Sequence, residues 1–344
     1  VNIAIISDYL DRFGSKQQSQ TYRGGMDVLK IIELLSLKGL NVRRFNFINA
    51  VELFEISEPH YILYTSSEDI GDHYKSFIED IIYALNLTHH TCIPHFKFLR
   101  AHNNKVQMEL LRGLFKFPDV NLFASQFVAT EKEINSAKFE FPQVIKGPTG
   151  ALSKNVFKVN SLQELKKSFN NIASRLSIYQ LIREKIRQIK HGKNYRHEET
   201  RVGKIVCQNF LHNISYDWKV LVFYDQIFVL KRENRRNDFR ASGSGLFSFV
   251  KDVPREILDL SLKTRNRLHI PHLSLDIAIF EGRPVIFEFQ ALYFGTKTLE
   301  NSTFHFYKEY DNWHVREDRA DLEEIYVSSI FKFITQEVES SIHK

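Results

Sequence analysis

An α/β architecture spread over more than one subdomain is what this sequence predicts, and three features predict it. The chain opens on an apolar strand, a helix-periodic stretch and a second strand, the beginning of a parallel sheet covered by helices. Farther on, short β-rich runs separated by tight turns lead to a hairpin at residues 272–295. A length of 344 residues exceeds the usual size of a single core, so two or three subdomains are expected.

A hydrophobic content of 43% and a charged content of 26% are those of a soluble globular protein. The 29 Phe residues suggest large cores and an aromatic-lined pocket. No apolar run reaches bilayer-spanning length, and no charged n-region with an apolar h-region opens the chain, so no membrane association is expected. Val1 leads straight into a strand and is expected to follow a removed Met or tag. Cys92 and Cys207 lie far apart without metal-type spacing, which fits reduced thiols in a cytoplasmic protein. The formal charge of +6 is spread, with clusters at 183–204 and 231–240, and forms no basic stripe interleaved with aromatics. That argues against nucleic acid as a partner and leaves the clusters free to serve phosphates.

Each element follows in order. NIAIIS (2–7) is the first strand, and helical periodicity runs from Gly24 to Leu40, with Val28, Ile31, Ile32, Leu35 and Leu37 apolar and Gly39 as a stop signal. NVRRFNF is the second strand. The polar loop between them (11–25) sits at the carboxyl end of the first strand, where open α/β sheets bind ligands. Gly24-Gly25 at the helix start could hold an anion on backbone N–H groups, a simple turn being the alternative. HYILYT (60–65) reads as a third strand and 72–87 as a helix with Phe77, Ile78, Ile81, Ile82 and Leu85 inward. TCIPHFKFL (91–99) reads as a fourth short strand with its loop.

A helix over Asn104–Phe115 carries Lys105 near its start. A strand-like piece, VNLFAS, precedes a hairpin in which Val144-Ile145-Lys146 runs into Gly147-Pro148-Thr149-Gly150 and NVFKV returns. Lys146, at a strand end before a small-residue loop, offers a phosphate an ammonium plus backbone donors; a Lys on a surface hairpin is the alternative. Residues 161–192 are mainly helical, with amphipathic spacing in SIYQLIREKIRQIKHGK. Three paired strands follow at 203–211, 217–223 and 226–232, the last two joined by a Tyr224-Asp225 turn. Arg232, Arg235, Arg236 and Arg240 then crowd one segment without an equal number of acids nearby, so they cannot all be buried. A triphosphate or acyl phosphate would account for them, a solvated loop being the alternative.

After a helix at 254–268 comes HLSLDIAIFEGRPVIFEFQALYFG, two antiparallel strands joined by a Glu-Gly-Arg-Pro turn. Glu288 and Gln290 are two apart on the second strand and share a face, and Asp276 can add a third oxygen donor from across the hairpin. Such oxygens suit Mg2+ whose shell is completed by nucleotide phosphates; a polar edge with a solvated acid is the alternative. A terminal helix at 320–339 closes the chain. No Ser-His-Asp or Cys-His arrangement stands out, and His89, His90 and His95 read as surface or packed residues.

The order of these features resembles the ATP-grasp superfamily, most closely the ribosomal-protein glutamate ligase-like carboxylate–amine ligases. What carries the resemblance is Lys105, Lys146 with its Gly loop, the hinge VCQNFL, Asp217-x-Lys219, Arg232 with NDFRAS, then Asp276 and Glu288-x-Gln290. It covers roughly residues 104–300 and implies an ATP-grasp fold with three parts. These are an N-terminal α/β domain (1–103), a linking helix plus lid subdomain (104–207), and a C-terminal antiparallel-sheet subdomain with the metal site (208–344). The resemblance implies that Lys105 and Lys146 contact ATP phosphates, that Gln208, Asn209, Phe210 and Leu211 present backbone groups to adenine, and that Asp217 sits at the ribose. Arg232 and Arg240 would stabilise the transferring phosphoryl group, with Ser242 beside the phosphates. Asp276, Glu288 and Gln290 would hold Mg2+. A lid at roughly 136–205 would close over ATP. Implied substrates are a small-molecule or peptide carboxylate and an amine, and a homodimer is compatible with the family. The sequence departs from the family pattern at Gln290 (usually Asn), in a loop poor in glycine that carries Lys154, and at Asn209 (often an acid).

Overall fold

The computed structural model describes residues 1–19, 21, 23–119, 124–149, 155–236, 238–241 and 243–342. The chain divides into two compact units, one made of Val1–His102 with Asn213–Lys344, the other of Asn103–His212.

The first unit begins with β1 (Asn2–Ser7), α1 (Val28–Leu37), β2 (Asn41–Asn46), β3 (His60–Tyr64), α2 (His73–Asn86), β4 (Thr91–Ile93) and α3 (Phe96–Ala101). The strands form a parallel sheet in the order β2-β1-β3-β4. The first helix starts later than its periodicity suggested. Asp27 caps it, accepting from the N–H groups of Leu29 and Lys30, while the Gly24 N–H donates to the Thr21 carbonyl at 2.7 Å. The glycine pair is therefore part of a turn, and a carboxylate already occupies the helix N-terminus. The fourth short strand read in 91–99 is β4, but the loop expected after it turns helical at Phe96. Pairing stops at Ile93, and the His95 ring accepts from the Lys97 N–H to start α3.

The second unit carries α4 (Lys105–Leu114), β5 (Ser125–Thr130), α5 (Glu131–Ser136), β6 (Gln143–Lys146), β7 (Val156–Val159), α6 (Leu162–Ile172), β8 (Ser174–Arg175), α7 (Ile178–His191) and β9 (Arg201–Asn209). Its sheet is antiparallel in the order β5-β9-β6-β7, with β8 on β9. Val128, Ile145, Leu165, Phe169, Ile205 and Cys207 fill its core. The β6–β7 hairpin is as expected, although Gly150–Lys154 lie outside the described residues, as do 120–123 of the strand-like piece VNLFAS. The strand expected to pair with 217–223 is β9, and it pairs instead with β5 and β6.

The chain then returns to the first unit with β10 (Tyr216–Phe223), β11 (Gln226–Glu233), β12 (Phe247–Ser248), α8 (Arg255–Leu268), β13 (His272–Phe280), β14 (Arg283–Gln290), α9 (Lys297–Glu300), β15 (His305–Glu309), β16 (Asn312–Arg316) and α10 (Leu322–Ile342). These strands form an antiparallel sheet in the order β14-β13-β10-β11-β15-β16, with β12 beside β11. The helix α8 lies against β10, β13 and β14. Leu221, Phe223, Phe228 and Phe294 of this part share one core with Ile3 and Ile5 of β1, Ile31 and Leu35 of α1, and Tyr326, Ile330 and Ile334 of α10. The stretches 1–103 and 208–344, read from sequence as separate domains, thus bury their apolar surface together. A buried ion pair also ties them: Lys16 Nζ lies 2.7 and 2.8 Å from the two oxygens of Glu323, which also accepts the Asp27 N–H.

Cys92 and Cys207 are free and buried. Among the described residues no helix is long and apolar enough to cross a membrane.

Candidate functional site

Strand register assembles the site. Asp217 on β10 faces Arg232 on β11, and Lys219 on β10 faces Asp276 on β13. Across the next pair Asp276 faces Glu288 and Ser274 faces Gln290 on β14. Directly paired residues point to one side of a sheet, as do residues two apart. Asp217, Lys219, Arg232, Ser274, Asp276, Glu288 and Gln290 therefore share a single face, and Phe223 and His272 extend it by one more row.

The hairpin differs from its sequence reading at two points. Its turn is Glu281-Gly282, both with positive φ (49° and 75°), the two-residue geometry that suits the twist of flanking strands. Arg283 and Pro284 belong to β14, an edge strand, where Pro is tolerated. The register also shifts between Asp276 and Ile277: Ile277 pairs with Ile286 but Asp276 pairs with Glu288, leaving Phe287 as the extra residue of a bulge.

Ion pairs bind the rows together. Arg232 grips Asp217 through Nε and Nη2, both at 2.7 Å, and its Nη2 also lies 2.9 Å from Asp276 Oδ2. Lys219 Nζ lies 2.9 Å from Asp276 Oδ1. Gln290 donates its amide N–H to Glu288 Oε1 at 3.0 Å, so the two side chains read as neighbours do meet. Burial pushes the Asp276 carboxyl up, but Arg232 and Lys219 outweigh it and hold the group well below the usual carboxylate range. Asp217 contacts only one of those cations. Burial raises its carboxyl to about 6, the Asp276 charge adding to the rise and Arg232 opposing it. Arg232 is itself raised, its two carboxylates overcoming burial.

Among the described residues, no group of three His, Cys, Asp or Glu side chains stands together to hold a metal. The donor set here is two carboxylates and an amide, oxygen chemistry that fits a hard divalent cation completed by phosphates and water. Glu288 and Gln290 fit that role. Asp276 fits it less well, since each of its oxygens already faces a cation.

Arg240 pairs with Asp238 through Nε and Nη2, both at 2.9 Å, and Arg235 donates to the carbonyls of Gly243 and Ser244. As expected, the four arginines are not all buried: Arg235 and Arg236 are exposed, while Arg232 finds Asp217 and Asp276 on distant strands and Arg240 finds Asp238 two residues upstream. Ser242 lies outside the described residues.

Within the second unit, Lys105 is the first residue of α4, and its N–H donates to the Pro148 carbonyl at 3.0 Å. That bond brings the start of α4 to the loop that follows Lys146 at the end of β6. Gln208 is 0% exposed; its amide donates to Ser125 Oγ at 2.9 Å, and its Oε1 has no partner among the described residues. Asn209 ends β9 and is exposed, and Leu211 is half-buried. The Phe210 N–H donates to the Pro142 carbonyl, and Lys158 Nζ lies 4.0 Å from the centre of the Phe210 ring.

Three polar residues of the face had no assigned role in the sequence reading: Lys219, Ser274 and His272. The signal was present, because polar side chains alternate as His272-x-Ser274-x-Asp276 and Asp217-x-Lys219 on strands that are otherwise apolar.

No family model and no curated protein matches the sequence. Solved structures do match. The chain is similar to D-cycloserine synthetase DcsG at 8% identity, over 96% of this chain and 99% of that one, with a TM-score of 0.53. It is also similar to the Chryseobacterium gregarium RiPP-associated ATP-grasp ligase, solved in complex with ADP and a leader and core peptide, at 13% identity over 96% of each chain, with a TM-score of 0.52. The parallel sheet, the five-stranded antiparallel sheet of the second unit and the C-terminal antiparallel sheet are those of the ATP-grasp fold, and this chain has it.

Proposed function

We propose that the protein is an ATP-dependent ligase that joins a carboxylate to an amine through an acyl phosphate. The observation that carries this reading is the single sheet face on which Glu288 and Gln290 stand beside Asp276, Lys219 and Arg232. A substrate carboxylate oxygen attacks the γ-phosphorus of ATP and ADP leaves; an amine nitrogen then attacks the acyl carbon and inorganic phosphate leaves. Phosphoryl transfer asks for positioning and charge neutralisation more than for a side-chain nucleophile. Arg232 and Arg240 supply positive charge to the transferring group, and Lys105 and Lys146 are assigned to the ATP phosphates. Gln208 to Leu211 are assigned to adenine, Asp217 to the ribose, and Ser242 to a position beside the phosphates. Glu288 and Gln290, with Asp276, would hold Mg2+, which when bound neutralises and orients the phosphates.

The acid is a small molecule or a peptide. The peptides bound by the similar RiPP-associated ligase support including peptide acids in any screen. Two free buried cysteines fit a cytoplasmic setting.

The engagement of both Asp276 oxygens by Lys219 and Arg232 favours one second reading, a nucleotide-binding protein without turnover. ADP release with Mg2+ and paired acids and amines decides between them, with Glu288→Ala as the control. Release with amide product that Glu288→Ala abolishes supports the ligase. A phosphorylated product without amide makes the protein a phosphotransferase, and ATP binding without ADP leaves the second reading. Turnover that survives Glu288→Ala removes the site assignment.

A further inference from the structure

Residues at the carboxyl ends of β3 and β4, in the loop after β1 and at the start of β13 converge on a cavity of about 30 Å3, room for roughly two waters. Phe13, Tyr64, Ile93, Phe223, Leu292 and Phe294 give the wall much of its apolar character. One polar side chain in that wall has an unmet need. His272 is 5% exposed, its ring centre lies 5.3 Å from that of Tyr326, 5.7 Å from Phe294 and 5.9 Å from Phe223, and its Nδ1 has no hydrogen-bond partner among the described residues. A buried ring nitrogen left unpaired is costly, so the cavity favours an occupant that can bond it.

The cavity's place is equally specific. Open α/β sheets receive ligands at the carboxyl ends of their strands. His272 also stands on the same face of β13 as Ser274, which faces Gln290, and Asp276, which faces Glu288. At about 3.4 Å per residue the His272 row is roughly 7 Å from the Gln290 row. Ser274 Oγ, between them, is also buried without a partner among the described residues. A molecule whose carboxyl group sits by Glu288 and Gln290 therefore reaches the cavity with a chain of a few atoms.

We propose that this cavity is a side-chain pocket for the acid substrate and that it selects a short side chain bearing a hydroxyl, as in serine, homoserine or threonine. The inference rests on the ligase reading for the word substrate. Size limits the side chain to two or three non-hydrogen atoms. Among the described lining residues there is no carboxylate, so the pocket offers nothing to an ammonium. Burial pushes the His272 pKa down to about 3, with Arg265 adding to the fall, so the ring is neutral and offers no charge to an anion. A hydroxyl can donate or accept, and so serves Nδ1 in either imidazole tautomer.

Binding without nucleotide tests the pocket apart from turnover. In ligand-observed NMR titrations of the whole chain, serine, homoserine and threonine are expected to bind about tenfold more tightly than alanine, 2-aminobutyrate and valine. His272→Phe removes the preference while keeping an aromatic ring in place, and Leu292→Phe weakens both sets by filling the cavity. Thermal melts establish that the variants fold. Should His272→Phe not fold, Leu292→Phe decides, and wild-type affinity in that variant overturns the pocket. Equal binding of hydroxylated and plain analogues, binding of neither, or a preference that survives His272→Phe also overturns it. ADP release that is indifferent to the hydroxyl sinks the pocket and leaves the ligase. Hydroxyl-selective binding with no ADP release from any acid and amine sinks the ligase and leaves the pocket as a ligand site.

Discussion

Arg232 on β11 holds Asp217 on β10 through two contacts of 2.7 Å and still reaches Asp276 on β13 at 2.9 Å, so one buried guanidinium serves two carboxylates across three strands. Neither acid has an alternative cation of equal reach, apart from Lys219 at Asp276. The arrangement makes the middle of the face depend on a single side chain.

Arg232→Met strands Asp217 in a buried setting and leaves Asp276 with Lys219 alone, and a loss of about 3–5 kcal/mol is expected. The measurement is a urea midpoint with unchanged slope. Arg232→Lys recovers only part, because an ammonium cannot make the two-point fork. A midpoint equal to wild type in the Met variant would show that the fork adds nothing net.

His272 carries a pH signature. Its folded pKa is pushed by burial to about 3, below the ordinary value near 6.5. Between those values the unfolded chain binds more protons, so this group's contribution falls as pH drops through the window, by up to about 1.4 kcal/mol per pH unit. His272→Phe is expected to flatten the decline in urea midpoint between pH 6.5 and 4. Parallel curves for variant and wild type would place the ring in water.

Asp217 has the opposite sign in an overlapping window. Its folded pKa, raised to about 6, exceeds the ordinary value near 3.9. The contribution is complete below that ordinary value and is lost as pH rises through about 6. Asp217→Asn should therefore gain on wild type as pH rises from 4 to 7, apart from the constant cost of a weaker partner for Arg232. Urea midpoints at four pH values separate the slope from the offset.

Glu323 is 0% exposed and takes both of its Lys16 contacts from the loop after β1. Lys16→Met leaves that carboxylate buried beside the Asp27 N–H without its cation, and about 3 kcal/mol should be lost. Hydrogen exchange should rise across residues 13–27 and the start of α10 before it rises in β1 or β3.

Two glycines with similar backbones separate strain from crowding. Gly25 has φ +77°, and an added Cβ would lie 2.7 Å from the Phe13 carbonyl oxygen; Gly39 has φ +79° with nothing within 4 Å. Gly39→Ala should cost about 1–2 kcal/mol from the left-handed conformation alone. Gly25→Ala should cost more, since a carbonyl oxygen must move as well. Equal melting temperatures would mean that the Phe13 backbone yields freely.

The sequence made the two ends of the ligand row legible and hid what lies between. Glu288 and Gln290 stand out because oxygen-bearing side chains two apart interrupt an apolar strand. The turn beside them was misplaced because Pro284 reads as a breaker, although an edge strand accommodates it. The strand read in 91–99 is there as β4, but the segment after it reads as loop because it is too short to show a period, and His95 capping decides for helix at Phe96. Pairing 203–211 with 217–223 followed from adjacency in sequence, but the chain changes units between β9 and β10. Counting acids near Arg232 failed because its partners come from β10 and β13, 15 and 44 positions away in the chain.

The bulge at Phe287 has a consequence for the whole face. If pairing ran unbroken from Ile277 and Ile286, Phe287 would stand opposite Asp276 and Glu288 opposite Leu275. Glu288 and Gln290 would then turn to the opposite side of the sheet. A single surplus residue thus acts as a phase shifter between the hairpin tip and its root. Deleting Phe287 would leave Glu288 opposite Asp276 in flush register, whereas closing the bulge with Phe287 retained would erase the ligand row without altering any of the residues that compose it.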